Sequence, residues 1–332
     1  MKKILNVLLL LILISASVGT KAQDHMIRVY EDNDLLNVMS DATDDAYTNG
    51  LRLDYYYTKD HKSRFFLDRW LPKAGKNAVN TFGWSAMQLM FTPEHITKTH
   101  PDINDYPYAG ALFATHSLHS SNPVKKYNLQ SELLIGVMGP ASIADRTQIL
   151  VHRLINNDRP MGWQYQLPNA ALINFNFSLE KMLFHQKNWL EIIGGGTGTL
   201  GTMTDGFSAF GTIRFGKMNP YFDGSIGQFS GKKQFQFYFF VRPELRWLGY
   251  NAMVDGAAFR GKSDYYKTSD GVENVPNTNK RVEGNLGLGA VLTWKNLGLA
   301  FSQNIIAPML QNSDLRTFHH HTVGNVSIYV SW

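Results

Sequence analysis

Apolar and polar residues alternate along most of the chain. In LRLDYYY (51–57), Leu51, Leu53, Tyr55 and Tyr57 share one face, and Arg52, Asp54 and Tyr56 share the other. INFNFSLE (173–180) sets Ile173, Phe175, Phe177 and Leu179 against Asn174, Asn176, Ser178 and Glu180. QFQFYFFVRPELRW (234–247) sets Phe235, Phe237, Phe239, Leu245 and Trp247 against Gln234, Gln236, Arg242, Glu244 and Arg246. NLGLGAVLTW (285–294) and the terminal VGNVSIYVSW (323–332) follow the same rule. A period of two is the mark of β-strands whose two faces meet different surroundings.

A water-soluble sandwich also alternates, with its apolar face inward. Two features favour an inside-out arrangement. The segments reach the roughly 9–11 residues that a tilted membrane strand needs, and Arg and Glu recur on the polar face of a single strand. The last residue, Trp332, closes an alternating segment with an aromatic ring. The pattern predicts an all-β fold, a transmembrane antiparallel β-barrel of about twelve strands with a short helix in an extracellular loop. The strands are expected near 26–34, 47–58, 79–91, 107–118, 125–137, 169–181, 187–198, 204–217, 233–250, 280–294, 297–305 and 321–332. NAMVDGAAF (251–259) reads as an extension of the ninth strand or as a strand of its own. With both termini on the periplasmic side, the turns at 120–123 and 295–296 fall inside. The long connections 35–46, 92–106, 138–168 and 306–320 fall outside.

Composition sharpens this picture. Residues 1–22 combine a basic start, an apolar core and small residues before a cleavage position, and are expected to be a secretion signal, leaving 23–332 as the barrel domain. Removing Lys2, Lys3 and Lys21 takes the formal charge from +5 to +2, so a nucleic-acid partner has little support. The chain has no cysteine, so packing or a closed sheet must do the work that disulfides do in many secreted domains. Beyond the signal no run is long and apolar enough for a membrane helix. A closed barrel needs no partner chain, and a monomer is expected.

The residues with chemical potential lie in the outer connections. EDND (31–34) and SDATDD (40–45) place six carboxylates between Glu31 and Asp45. Such crowding calls for solvent or a hard cation, and Asp and Asn oxygens suit calcium. Strict alternation would send Asn33 and Asp34 to opposite sides, so using both requires a bulge or a frayed strand end. GPASIADRTQILVHRLINN (139–157) predicts a helix capped by Ser142 with Asp145 after Pro140. Asp145, Gln148, His152 and Asn156 share one stripe of it, and Ile143, Leu150 and Leu154 another. FTPEHITKTH (91–100) carries Lys98 between His95 and His100. No H-E-x-x-H or G-x-S-x-G occurs. GGGTGTLG (194–201) lies along an alternating segment with no helix opening after it, as glycine on a crowded wall does.

Taken in order, EDND, YTNGLRLDY, NDYPYAG, IGVMGPASIADRTQILVHRLI, GWQYQL and YNAMVDGAAF resemble one family, the lipid A 3′-O-deacylases of the Gram-negative outer membrane. The resemblance covers most of the chain and is weakest after about residue 265. It implies a twelve-stranded barrel in the cell outer membrane, and a calcium-dependent esterase whose site lies between the wall and an outer-loop helix. Lipid A of lipopolysaccharide is then the substrate. The family's Asn-Asp pair falls on Asn33 and Asp34, with Asp34 a calcium ligand, and its Thr on Thr48, whose parity with Arg52 and Asp54 points it inward. Its catalytic His falls on His152, the Gln one turn earlier on Gln148, and its Lys on Lys98. That set implies attack by a water that His152 deprotonates, with no covalent acyl-enzyme. An outer-membrane phospholipase, or a pore or structural barrel without catalysis, are the alternative readings.

Overall fold

In the computed structural model, residues 24–38, 46–59, 63, 65–101, 105–258, 281–307 and 321–332 are described. The secretion signal expected at 1–22 and the acidic SDATDD stretch lie outside them. Twelve strands close into one antiparallel barrel, each paired with its sequence neighbour and β1 with β12. They are β1 His25–Asn33, β2 Ala46–Thr58, β3 Val79–Thr92, β4 Ala109–Asn122, β5 Tyr127–Met138 and β6 Ala170–Gln186. β7 Leu190–Gly201, β8 Thr204–Lys217, β9 Gly231–Asn251, β10 Val282–Lys295, β11 Leu297–Ile306 and β12 His321–Ser331 complete it. Closure leaves no unpaired edge, which a sheet in lipid cannot tolerate. The two chain ends meet at one rim, where Asp24 N and His25 N donate to Trp332 O at 3.0 and 3.2 Å. The His25 and Trp332 rings stack there at 5.6 Å.

The alternation resolves as an inside-out protein. Leu53, Ile135, Ile173, Phe207 and Leu245 are more than half exposed on the outer surface. Arg28, Arg52 and Glu132 face the lumen. Asp54 receives Arg28 and Arg52, both at 2.7 Å, and Arg52 reaches Glu132 at 2.6 Å. Each of these four charges thus has a partner in hydrogen-bond range, the condition for tolerating it away from water.

Two connections at the termini end also matter. Residues 218–230 fold into the lumen, burying Met218 and Ile226 against Met26, Tyr238 and Tyr329 of the wall, with Phe222 fully buried as well. Gln236, wholly buried, ties this floor down by accepting from Asn219 N at 2.7 Å and donating to Ser230 O at 2.9 Å. Residues 65–70 of the connection after β2 instead lie on the outer wall, where the Phe65 and Trp84 rings meet at 5.9 Å. There Asp68, 1% exposed on a short helix (Phe66–Trp70), accepts from Lys59 Nζ at 2.8 Å and pairs with His116 Nε2 at 2.6 Å.

At the opposite rim a helix spans Ala144–Ile155, hereafter the rim helix. The expected Ser142–Asp145 cap does not form. A 3-10 turn (Pro140–Ser142) precedes the helix, Ser142 Oγ turns back to Gly139 O at 2.6 Å, and Ile143 takes the N-cap position at φ 55. A β-branched residue in that left-handed region is strained by about 1–3 kcal/mol, and the contacts on either side must hold it there. After β9, NAMVDGAAF supplies neither an extension nor a strand beyond Asn251: Ala252–Asp255 form one helical turn that packs into the mouth of the barrel.

Candidate active site

The rim helix lies against the outer surface of the wall rather than over the lumen. On β3, Ser85, Met87, Leu89 and Phe91 face the interior, so Trp84, Gln88, Met90 and Thr92 face outward. Met90 is nevertheless 2% exposed, because it packs with Tyr108, Trp163 and Ala144 of the rim helix. Gln88 Nε2 donates to Ser142 O at 2.7 Å. Gly110 on β4 permits the close approach: a Cβ there would stand 2.4 Å from both Ala144 Cβ and Ser142 Oγ.

Of the predicted polar stripe, Gln148 and His152 turn to this wall, whereas Asp145 is half-buried and Asn156, at the C-cap, is exposed. Ala144, Gln148 and His152, four residues apart, are its buried positions, at 0, 3 and 5% exposure. Gln148 Oε1 accepts from Trp163 Nε1 at 2.7 Å. Gln148 Nε2 is buried with no hydrogen-bond partner, a donor left for a bound molecule. His152 Nδ1 lies 2.5 Å from the carbonyl of Asp158. A carbonyl only accepts, so Nδ1 carries the proton and Nε2 bears the lone pair in the neutral ring. The helix ends directly afterwards, with Asn156 at φ 61 and Asn157 N donating to His152 O at 2.9 Å.

The segment after the helix is stapled by Tyr108. Its hydroxyl donates to Ile96 O at 3.1 Å, its carbonyl accepts from Leu167 N at 2.8 Å, and its ring meets Trp163 at 5.0 Å. Met161 N donates to Ile96 O at 2.8 Å, joining the Lys98 loop to the same assembly. Lys98 itself is exposed in a turn closed by its N–H to His95 O at 3.2 Å.

Thr48 departs from the parity expectation. The β2–β3 register shifts between Tyr47 and Asn49, so one extra residue enters β2. Tyr47 takes the interior position, bonding Asp32 Oδ2 at 3.1 Å. Thr48 therefore turns outward, 3% exposed, and shares a 2.7 Å hydrogen bond with Thr92 on the helix-bearing face of β3.

The end of β1 supplies the frayed geometry the Asn-Asp pair requires. Arg28, Tyr30 and Asp32 face the lumen, and Glu31 and Asn33 face outward; the strand stops at Asn33 and a 3-10 turn (Asp34–Leu36) begins. Asn49 Nδ2 donates to Glu31 Oε1 at 2.5 Å and to Asp32 O at 3.2 Å, fixing this edge. Asp34 is 2% exposed beneath the turn that packs on β12 at Gly324, where a Cβ would meet Leu36 O at 2.1 Å. Gln148, His152 and Thr48 thus share the outer face of the wall, and Asn33 lies on the same face of the adjoining strand. Tyr108, Gly110 and Trp163 lie within the NDYPYAG and GWQYQL motifs and Thr92 within the FTPEHITKTH stretch, but sequence reasoning assigned none of them a role in holding the arrangement.

Comparison with known proteins bears on the family and the fold. The sequence matches the family described as "Outer membrane protein LpxR" over residues 5–332. The solved structure of LpxR from Salmonella typhimurium superposes with a TM-score of 0.71 at 16% identity, covering 92% of this chain and 100% of that one. The β-domain of the Bordetella autotransporter BrkA (TM-score 0.45, 10% identity, 94% and 100% coverage) and the KdgM porin (0.39, 7%, 92% and 99%) resemble it more weakly. Curated protein sequences include no match. With a family match over nearly its whole length and a barrel of the same architecture, the chain belongs to the LpxR family of outer-membrane proteins.

Proposed function

We propose that this chain is a calcium-dependent hydrolase that removes an ester-linked acyl chain from the 3′ position of lipid A. The observation that carries the reading is the inverted rim helix. Gln148 and His152 are buried against the outer face of the wall, the face that Thr48 and Thr92 also occupy, where an inert barrel would bury apolar groups.

His152 acts as general base: Nδ1–H is held by the Asp158 carbonyl, and Nε2 takes the proton of a water as its oxygen attacks the ester carbonyl. The same nitrogen then returns the proton to the departing sugar oxygen, giving a free hydroxyl on lipid A and a fatty acid. Gln148, anchored by Trp163, offers its Nε2 donor to the water or the carbonyl oxygen. Asn33 supports the developing oxyanion, and Lys98 meets a phosphate of lipid A.

The donors at the end of β1 fit a calcium ion. Glu31, Asn33 and Asp34 offer hard oxygens, and Asp34 is a carboxylate buried to 2% exposure, a position that favours a matching positive charge. Asp34 and Asn33 would hold the ion. Bound there, calcium supplies Lewis-acid polarisation of the ester carbonyl. An open pore is disfavoured by the floor at 218–230, which fills the lumen at the termini end.

The test is mass spectrometry of lipid A incubated with refolded protein, with calcium, with chelator, and with His152→Ala. Loss of one acyl mass that requires both calcium and His152 is expected. An unchanged lipid A with folded protein refutes the reading, and cleavage of phospholipids instead would reassign the enzyme as a phospholipase.

A further inference from the structure

With about 3.6 residues per turn, the rim helix divides into three sectors. Ala144, Gln148 and His152 form the buried one. Ile143, Leu150, Val151 and Leu154 form a second, exposed at 45, 56, 40 and 63%. Arg146 and Arg153, seven residues apart and both exposed, form a third on the side remote from the wall. A helix on a water-exposed loop would not show its large aliphatic residues to solvent while burying a histidine and a glutamine. The apolar sector also continues the lipid-facing wall: Leu51, Leu112 and Ile135, on the outer halves of β2, β4 and β5, are exposed at 46, 36 and 58%.

We infer that the rim helix is an interfacial element docked into the outer leaflet. Ile143, Leu150, Val151 and Leu154 rest among the acyl chains of lipid A, and Arg146 and Arg153 lie at the level of its phosphates. The three sectors match what such a position demands. A helix lying in the membrane plane directs one side to the protein, one to the hydrocarbon, and its long basic side chains to the headgroups, where they also meet negative charge. The candidate site is then entered from the lipid, beneath the helix, so an acyl chain need never cross water to reach His152. The naming of lipid A rests on the proposed function; the immersion of the helix does not, and is measured without turnover.

Because the chain has no cysteine, single-cysteine variants can each carry one nitroxide without further engineering. Labels at Leu150→Cys, Leu154→Cys and Arg153→Cys would be compared with Ile135→Cys on the wall and Val124→Cys in the turn at the termini end. The protein is held in nanodiscs of phosphatidylethanolamine and lipid A, and collision with oxygen and with a nickel chelate is read by power saturation. Barrel folding is checked by heat-modifiable mobility for every variant. Labels at 150 and 154 are expected to match 135, accessible to oxygen and closed to nickel, with 153 intermediate between 135 and 124. Nickel access at 150 and 154 equal to that at 124 overturns the inference, because the helix would then stand in water. Shielding from both reagents also overturns it, because a second protein surface would then cover the helix. If the labels are immersed and lipid A stays uncleaved, the proposed function fails and the docking stands.

Discussion

Replacing Gly110 by alanine tests whether the rim helix must touch the wall. The new Cβ would lie 2.4 Å from Ala144 Cβ and 2.4 Å from Ser142 Oγ. Carbon contacts settle at about 3.5–4.0 Å, so roughly 1 Å of separation is missing. Neither neighbour can swing away: Ala144 has no rotamer, and Ser142 Oγ is bound to Gly139 O. The strand cannot yield either, since Gly110 is paired with Met90 in the β3–β4 ladder. The helix must therefore retreat, carrying Gln148 and His152 with it. A displacement of about 1 Å in a catalytic constellation costs on the order of 100-fold in rate. The barrel should not suffer, because alanine in an ordinary strand conformation restricts the unfolded chain and stabilises by about 0.4–1 kcal/mol. The assay is the initial rate of lipid A deacylation by mass spectrometry, beside heat-modifiable mobility as the measure of folding. A nitroxide at Leu150→Cys should also gain mobility, a readout that needs no activity. Gly198→Ala is the control, since nothing lies within 4 Å of its Cβ. Wild-type rate and an unchanged nitroxide spectrum in Gly110→Ala would refute the packing argument.

Two further outcomes follow from the same contacts. Trp163→Phe removes the donor at 2.7 Å from Gln148 Oε1 and leaves the buried amide without an anchor, at a local cost of about 1–3 kcal/mol; turnover should fall while the thermal midpoint of the barrel holds, and equal turnover would end the view that Trp163 positions Gln148. On the termini side, burial raises the Asp68 carboxyl, but hydrogen bonds from Lys59, Ser63 and His116 outweigh it and hold the group below the ordinary carboxylate range. A depressed value means the stabilisation is present above about pH 4 and is lost as pH falls through the folded value. The connection after β2 should thus become sensitive to pepsin only at the acid end of a titration from pH 5 downward, and Asp68→Asn should abolish that pH dependence; identical titrations for both proteins would contradict it.

The sequence by itself determined the strands, their number and the inside-out character of the barrel. Those properties are local: side chains alternate every two residues, and neither Arg52 nor Glu132 can face lipid unpaired. It also determined that a helix lies within 139–157, though not where it starts, and the membership of Gln148 and His152 in one stripe, because a helix repeats within four residues. Tertiary structure decided which surroundings each stripe meets. Periodicity records that two faces differ, not which one is covered, and the packing of the rim helix on the wall makes Gln148 and His152 the covered pair. Parity counting fails at Thr48 because a single inserted residue reverses every side chain beyond it, and the shift appears only when β2 is set against β3. The Tyr108, Ile96 and Trp163 contacts join segments far apart in the chain, and the close approach at Gly110 depends on a helix more than thirty residues downstream. Such contacts are set by where the closed barrel brings its loops together, which no local pattern encodes.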